Sequence, residues 1–258
     1  MNRAKCFLNA AHDFLIRPAG LYLKMILGPL WRHPKIRGDY RSAVKKFDLT
    51  LSGKIASKDI DEIAASPNEC TLLRPTRKDG NLSLDAQYCL VRLVKKFDPK
   101  RVFEIGTFNG NTTLQMAVNS SEDCKIFTLD LDSREKLEKL KYSLYGDEKK
   151  YVGSSELVFQ GTPYEKKITR LLGDSARFDF KPYYGQMDFV FIDGSHAFDY
   201  VKSDTEAGLR MLKRGGVVVW DDYDPSWPDV VRYLDHLARE KPIFWVAGTS
   251  LCFYESRG

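Results

Sequence analysis

The segment VFEIGTFNGNTTL, from Val102 to Leu114, decides the fold of this chain. Apolar residues lead to Glu104, two glycines follow at Gly106 and Gly110, and a helical pattern then begins. A strand, a tight loop and a helix in this order are typical of an α/β domain. The loop departs from the dinucleotide fingerprint GxGxxG, because its spacing is ExGxxxG. An acid at the strand end suits a cationic ligand better than a diphosphate.

The same alternation of strands and helices continues to the end of the chain. Strands are predicted for RVFEIG, KIFTLDL, ITRLLG, MDFVFIDG and VVVWDD, and a closing hairpin for PIFWVAGTSLCFYES. Helices are predicted for LSLDAQYCLVRLVKKF, NTTLQMAVNS, SREKLEKLKYSLYG, AFDYVKSDTEAGLRMLKRG and PDVVRYLDHLARE, and a loop for residues 147–167. Apolar strands that alternate with helices predict a doubly wound, mostly parallel sheet of seven strands. Its ligand is expected outside the carboxyl ends of the strands.

Charge and chain-breaking residues divide the sequence into two parts. Residues 1–58 hold 12 Lys and Arg against 3 Asp and Glu, whereas the remainder holds 28 against 32. We therefore predict a basic helical extension over residues 1–80 and an α/β domain over residues 81–258. The extension is expected to cover the site or to form a homodimer contact. The alternative is peripheral contact with an anionic membrane, through an apolar helix face with flanking basic residues.

Several other classes of protein are disfavoured by composition. No recognition motif accompanies the basic charge, so no nucleic acid is expected as a partner. The five cysteines are scattered and indicate neither zinc nor a disulfide framework, which favours a reducing, cytoplasmic location. Polar residues interrupt the first apolar run, so the N-terminal segment is not expected to be a signal peptide. The apolar run AGLYLKMILGPLW is shorter than the ~20 residues of a membrane span.

The ExGxxxG segment resembles motif I of the class I S-adenosylmethionine-dependent methyltransferases. Phe108 stands where the fuller ExGxGxG form has its central glycine. In that family the loop wraps the amino-acid end of S-adenosyl-L-methionine, whose ammonium and sulfonium groups are positive. The resemblance implies cofactor contacts from Glu104, Gly106, Thr107, Phe108, Asn109, Gly110 and Thr112.

The next strand ends supply further candidate cofactor contacts. Asp130, followed by Leu131, has a carboxylate that can accept hydrogen bonds from both ribose hydroxyls. Its alternative role is to cap the helix that follows. The resemblance places Asp174 and Ser175 beside the adenine, although Ser175 is equally well explained as a loop residue. Asp193, at the end of the fourth strand, completes the predicted cofactor set.

Three carboxylates follow the fourth and fifth strands, where chemistry is expected. Asp193, Asp221 and Asp222 should converge at neighbouring strand ends, and oxygen ligands of this kind suit Mg²⁺ or another divalent cation. Capping of the following helix and turn is the alternative. The pattern is similar to catechol O-methyltransferase and its metal-dependent relatives, in which an Asp-Asn pair follows the fifth strand, so Asp222 departs from that family.

His196 is the predicted general base. It lies three places beyond Asp193, where the catechol enzymes have a catalytic lysine, and imidazole is a competent base near neutral pH. Asp193 and His196 are therefore the predicted catalytic residues. Gly194 and Ser195 replace the aromatic residue of those enzymes, which argues against a flat catechol as the substrate.

The segment FIDGSHAFDYVKSD also resembles a methyltransferase subgroup with an IDGxHxF/Y signature, and the resemblance extends over residues 80–255. It implies transfer of a methyl group from S-adenosylmethionine to a hydroxyl of a small-molecule acceptor. The alternatives are a metal-independent O- or N-methyltransferase and a non-catalytic S-adenosylmethionine-binding protein. Among neighbouring residues, Asp199 and Asp204 are expected to be solvent-facing or N-terminal helix charges, and Trp220 a core residue. Tyr223 and Trp227 are expected either to line the pocket or to pack within loops.

Overall fold

The computed structural model describes residues 55–65, 69–76, 79–132, 137–145, 148–152 and 157–256. These residues belong to one compact unit, Leu49–Gly258. Residues 1–54 of the predicted basic extension lie outside the described residues, and so do its predicted lid, dimer and membrane contacts. Within the described ranges, no helix combines the length and apolar character needed to cross a membrane.

The described residues form one sheet of eight strands with helices on both faces. The strands are β1 (Ala56–Lys58), β2 (Arg101–Ile105), β3 (Lys125–Asp130), β4 (Ile168–Leu172), β5 (Met187–Ile192), β6 (Leu212–Trp220), β7 (Phe244–Val246) and β8 (Cys252–Glu255). The helices are α1 (Ile60–Ile63), α2 (Leu84–Phe97), α3 (Asn111–Asn119), α4 (Phe198–Met211) and α5 (Pro228–Leu237). The predicted order of elements is thus confirmed from α2 onward, with one exception described below. The predicted end of α4 at Gly215 is wrong, because Leu212–Trp220 forms β6 and so includes the last four residues of that predicted helix.

The strand order is β1-β7-β8-β6-β5-β2-β3-β4, and every pairing is parallel except those of β8 with β6 and β7. This confirms the doubly wound sheet with an antiparallel C-terminal hairpin. The predicted number of seven strands is wrong, because Ala56–Lys58 pairs in parallel with Phe244–Val246 at the edge of the sheet. Three residues are too short for an alternating pattern to be recognised in the sequence.

Alternate residues of β5 show why its sequence is almost entirely apolar. Val190 and Ile192 pack in one core with residues of α4 and α5. Phe189 and Phe191 pack in a second core, with residues of α2 and α3, on the other face. All four side chains are buried. Burial on both faces is what a central strand of a doubly wound sheet requires, and it fixes β5 beside β2 at the centre.

The predicted helix SREKLEKLKYSLYG is not formed over residues 137–145. Leu137–Lys139 makes one turn of 3₁₀ helix, and the residues after it are irregular. Two backbone N–H groups explain the difference: Lys141 donates to a carboxylate oxygen of Asp174 (2.8 Å), and Tyr145 donates to one of Glu148 (2.9 Å). Donors that a helix would use internally are thus bonded to neighbouring loops. Residues 133–136 and 146 of this prediction lie outside the described residues.

Candidate active site

A cavity of about 320 Å³ lies at the carboxyl ends of the central strands. Strand β2 lies between β3 and β5 there. From β2 the chain continues to β3 and β4 on one side, and it then crosses to β5 on the other side, where the strand order reverses. Crevices at such switch points are the usual ligand sites of doubly wound sheets. The predicted site residues that line the cavity are Gly106, Phe108, Asp130, Leu131, Asp174, Ser175, Asp193, His196, Asp221 and Asp222.

Gly106 brings the loop after β2 against the end of β5. Its φ is +96°, and a Cβ atom built on it would lie 1.8 Å from the carbonyl oxygen of Asp193. Its N–H donates to the carbonyl of Leu129 (2.9 Å), which holds the loop to β3 as well. Only glycine accommodates this close approach, so Gly106 fixes the distance between the two halves of the cavity.

Replacement of Gly106 by alanine should destabilise the domain by about 3 kcal/mol, because a clash with backbone adds to the strain of a positive φ. Urea unfolding monitored by circular dichroism measures this loss. Gly161→Ala is the matched control: Gly161 has a φ of +70° but no atom within 4 Å of a built Cβ. That control should cost about 1 kcal/mol. Equal losses in the two variants would contradict the steric role of Gly106.

Glu104 supports the glycine loop from behind the cavity wall. Its fully buried carboxylate accepts hydrogen bonds from the hydroxyls of Thr113 and Thr128 through one oxygen. The other oxygen, Oε1, has no hydrogen-bond partner among the described residues. Burial raises the pKa of Glu104 to about 8. The structure thus places this predicted cofactor contact beneath the loop and not on the cavity wall.

Four further predicted contacts also lie behind the wall and shape the loop. The Thr107 and Thr128 hydroxyls are 2.6 Å apart. The side-chain oxygen of Asn109 accepts the N–H of Asn111, and Gly110, with a φ of +74°, begins α3. Thr112 is buried in the first turn of that helix. Phe108 alone among the residues between the two glycines lines the cavity, and its ring contacts that of Tyr151 edge to face.

Asp130 presents an open acceptor at the end of β3. Its Oδ1 accepts the N–H of Leu131 (2.9 Å), whereas its buried Oδ2 has no hydrogen-bond partner among the described residues. Burial raises the pKa of Asp130 to about 6. A ligand hydroxyl would satisfy Oδ2, since a buried acceptor without a donor is costly.

Asp174 holds loops together more than it offers free acceptors. It accepts hydrogen bonds from the N–H of Lys141, the N–H of Ala176 and the hydroxyl of Tyr200. Ser175, beside it, lines the cavity. The chain around the predicted adenine position is therefore braced by Asp174 against both the 137–145 segment and α4.

Asp204 is neither a solvent-facing nor an N-terminal helix charge, so both predicted alternatives are wrong. It is 1% exposed, and a Cβ on Gly194 would lie 3.1 Å from its Oδ2. Burial raises the pKa of Asp204 to about 7. The side chain lies on the face of α4 that packs on the sheet, behind the cavity wall. Asp199, one turn earlier on the same helix, is exposed as predicted.

The three predicted metal ligands come together. One carboxylate oxygen from each of Asp193, Asp221 and Asp222 lies within 4.8 Å of the others. Main-chain hydrogen bonds from Asp193 to Ile105 (2.8 Å) and from Asp221 to Ile192 (3.0 Å) continue the parallel ladder and hold the acids at this edge. Asp222 follows with a left-handed φ of +62°, a conformation that Asp and Asn tolerate better than most residues.

The electrostatics of this cluster favour a bound cation. Burial, followed by the charges of Asp221 and Asp222, raises the pKa of Asp193 well above its usual range. Burial and the charge of Asp222 raise the pKa of Asp221 to about 7. Like charges close together disfavour ionisation unless a cation or a shared proton relieves them. Three oxygen donors without nitrogen or sulfur fit a hard divalent ion.

His196 adjoins this cluster and is itself held on three sides. Its Nε2 is 2.6 Å from an Asp222 oxygen, its Nδ1 forms an ion pair with Glu148, and its ring stacks on Trp227 at 3.7 Å. Burial alone would lower the pKa of His196, but the two carboxylates outweigh that effect and raise it to about 10. In this arrangement the imidazole is cationic at neutral pH.

The structure places the three aromatic residues named in the sequence analysis in two different environments. Trp220 is a core residue as expected, and Trp227 lines the cavity. Tyr223 is fully buried and donates its hydroxyl hydrogen bond to Asp235 (2.7 Å), so it packs within the core. Glu148, which lines the cavity, was missed by sequence reasoning. It lies in the polar 147–167 segment, where no local pattern distinguishes it from its charged neighbours.

Known methyltransferases resemble this chain in sequence. Residues 103–223 match the model of a family described as a methyltransferase domain. An Arabidopsis thaliana protein assigned as a caffeoyl-CoA O-methyltransferase is 29% identical over 185 residues, which cover 67% of this chain and 72% of that protein. The caffeoyl-CoA O-methyltransferase of Stellaria longipes is 26% identical over 197 residues, covering 73% and 76%.

A solved structure shares the fold. The O-methyltransferase TomG of Streptomyces achromogenes, determined in complex with S-adenosylmethionine, superposes with a TM-score of 0.51 at 16% identity. The superposition covers 84% of this chain and 96% of TomG. Sheet order, glycine loop and these likenesses agree: residues 103–223 match the model of a methyltransferase domain, and the chain is similar in sequence to the two O-methyltransferases named above and in fold to TomG.

Proposed function

We propose that this chain transfers the methyl group of S-adenosyl-L-methionine to a hydroxyl of a small-molecule acceptor, with a divalent cation held by Asp193, Asp221 and Asp222. Mg²⁺ is the first candidate for that cation. The observation that carries the proposal is the convergence of these three carboxylates on the wall of the cavity. The O-methyltransferase relatives support a hydroxyl as the acceptor.

The cofactor proposal is supported by other residues of the same cavity. The open Oδ2 of Asp130 suits a ribose hydroxyl, and Gly106 also lines the cavity. Phe108, Leu131 and Ser175 line the same cavity. A ligand bound there would extend toward the carboxylates, which is the alignment that an in-line methyl transfer needs.

The carboxylates and their neighbours have distinct proposed roles. A bound divalent cation would lower the pKa of an acceptor hydroxyl, as such ions do for water. Asp193, Asp221 and Asp222 would hold the cation. Trp227 and the ring of His196, which stacks on Trp227, line the same cavity and would contact the acceptor. The sulfonium of the cofactor supplies its own leaving group, so the chain needs only to orient and deprotonate the acceptor.

His196 remains our proposed base, with a condition that its surroundings impose. A base must be neutral to accept a proton, and a pKa of about 10 makes this imidazole cationic at pH 7. Positive charge beside Asp222 would lower that pKa. His196 therefore fits the role of base in the cation-loaded site only.

A metal-independent O- or N-methyltransferase is the second candidate, and one observation favours it. The cationic imidazole of His196 already neutralises part of the charge on Asp222, at an Nε2–Oδ2 distance of 2.6 Å. Without a cation, the acids would then orient an amine or a hydroxyl of the acceptor. A non-catalytic cofactor-binding protein is less well supported, since such a protein has no need of converging acids.

The remaining proposals concern the chain as a whole. We place the basic extension at residues 1–80 and the methyltransferase domain at residues 81–258, although β1 shows that part of the former joins the sheet. For the extension we favour a cover over the site or a homodimer contact over a peripheral membrane contact. A cytoplasmic location is proposed from the scattered cysteines.

The test combines cofactor binding and cation removal. Isothermal titration calorimetry should detect binding of S-adenosylhomocysteine and none of NADH. Release of S-adenosylhomocysteine in the presence of a panel of small hydroxylated acceptors should stop on addition of EDTA and return with excess Mg²⁺. Turnover that is indifferent to EDTA would select the metal-independent candidate. Failure to bind the cofactor product would reject both.

A further inference from the structure

We propose that Glu148 is a positioning residue: it holds the imidazole of His196 against Asp222 and so sets the geometry of the cation site. This inference rests on the proposed function, because it concerns the same carboxylates. Glu148 does not belong to the converging group itself, which comprises Asp193, Asp221 and Asp222. It acts through His196.

Glu148 is buried although it lies in a short 3₁₀ turn of a polar segment. Its exposed fraction is 6%. One carboxylate oxygen accepts hydrogen bonds from the Ser195 hydroxyl (2.7 Å) and the Tyr145 N–H (2.9 Å). The other accepts the backbone N–H of His196 (2.6 Å) and pairs with its Nδ1. A buried carboxylate satisfied by several donors is rigidly placed, and its loss leaves those donors unsatisfied.

The imidazole passes this rigidity on to Asp222. With Nδ1 at Glu148, the opposite ring nitrogen, Nε2, is directed at the Asp222 oxygen 2.6 Å away. Stacking on Trp227 at an interplanar angle of 19° fixes the plane of the ring. The partner of one ring nitrogen sets the orientation and protonation of the other. Glu148, His196 and Asp222 thus form a chain from the 148–152 segment to the cluster.

The position of the Asp222 side chain depends on its contact with His196. Its left-handed backbone, with a φ of +62°, turns the chain directly after β6, and its neighbour Asp221 is held separately by the Ser250 hydroxyl. Without His196, the Asp222 carboxylate would lose the ring nitrogen that holds its Oδ2 at 2.6 Å. Groups that orient a ligand in this way usually change cation affinity by 10–100-fold when they are removed.

The expected result is therefore a loss of cation affinity without loss of cofactor affinity. Mn²⁺ alone serves as the probe, titrated into the full-length protein by calorimetry. Glu148→Gln should weaken Mn²⁺ binding about tenfold and leave S-adenosylhomocysteine binding unchanged. Glu165→Gln is the matched control, because Glu165 lies exposed in the same 147–167 segment and accepts one backbone N–H, from Gly161. It should bind Mn²⁺ like the wild type.

A double-mutant cycle separates positioning through His196 from a general effect on the loop. If Glu148 acts through the imidazole, Glu148→Gln should add nothing to the loss already caused by His196→Gln. Additive losses would overturn the inference. If Glu148→Gln does not fold, Ser195→Ala removes one of its donors and should weaken Mn²⁺ binding in the same direction. Unchanged Mn²⁺ affinity in Ser195→Ala would then overturn it.

The two levels of proposal fail differently in this experiment. A wild-type protein that binds the cofactor product but no Mn²⁺ would remove the cation from the proposed function and the inference with it. If the wild type binds Mn²⁺ and Glu148→Gln binds it equally tightly, the proposed function stands and the role of Glu148 alone is overturned.

Discussion

Asp193→Asn should abolish tight divalent-cation binding and lower the rate of methyl transfer about 10³-fold, while S-adenosylhomocysteine still binds. The magnitude follows because a cation that lowers the pKa of the acceptor hydroxyl and orients it contributes several kcal/mol, and each 1.36 kcal/mol is a factor of ten. Asparagine keeps the shape of the side chain. It also leaves in place the backbone carbonyl that Gly106 approaches, so the cofactor side of the cavity should be preserved.

The measurements are Mn²⁺ titration, steady-state release of S-adenosylhomocysteine, and calorimetry of the cofactor product. Asp199→Asn is the matched control, because Asp199 is an exposed acid in the first turn of α4. It should bind Mn²⁺ and turn over like the wild type. Full turnover in Asp193→Asn would contradict the proposed cation site. Simultaneous loss of cofactor binding would instead assign Asp193 to the cofactor, the second role that its position at the end of β5 predicts.

Parallel topology explains why the position of this site was predictable from the sequence. Once the strands ending at Asp130, Asp193 and Asp221 are placed in one parallel sheet, their following residues must meet at one edge. The family resemblance then assigned those residues to roles. Hydrophobic periodicity indicates which segments are strands and in what order they follow along the chain. The parallel topology then predicts that the ends of those strands converge.

Long-range contacts explain what was not predictable. Glu148 approaches His196 from a segment without periodicity, and no spacing rule links positions 48 residues apart. The 133–146 segment has a helical sequence pattern. In its described part, residues 137–145, a tertiary hydrogen bond from Lys141 to Asp174 and a local one from Tyr145 to Glu148 replace helical ones. Asp204 was misjudged for a related reason: a charged residue on an amphipathic helix is normally exposed, and only the fold shows that this turn of α4 faces the sheet.

The metal-free protein should lose stability as pH rises from 5 to 9. Burial raises the folded-state pKa to about 6 for Asp130, to about 7 for Asp204 and Asp221, and to about 8 for Glu104. The carboxylates around His196 raise its pKa to about 10 against the effect of burial. All five shifts are upward, so the folded state holds more protons than the unfolded state. Stability is then greatest below the unfolded pKa values and is lost as pH rises through the folded ones.

The size of this effect follows from one group. The pKa of Asp221 rises from 3.8 to about 7, and the part of that shift above pH 5 corresponds to about 3 kcal/mol; 1 kcal/mol moves the Tm of such a domain by about 3 °C. We therefore expect the Tm of the EDTA-treated protein to fall by about 10 °C between pH 5 and pH 8. The pKa of Glu148 is lowered, because His196 and Ser195 outweigh the effect of burial. Its contribution to the stability of the folded protein is therefore lost only in acid and does not oppose this trend.

Mg²⁺ should reverse part of this loss, and more at pH 8 than at pH 6, since protons no longer compete for the carboxylates and binding to the folded state alone raises stability. Differential scanning fluorimetry across pH, with and without Mg²⁺, measures both effects. Asp204→Asn separates them: it removes one raised pKa outside the cation cluster, so it should flatten the pH dependence and keep the Mg²⁺ response. A Tm that rises from pH 5 to pH 8 in EDTA would show that these acids are ionised in the folded state without a cation, and the electrostatic basis of the site would fail.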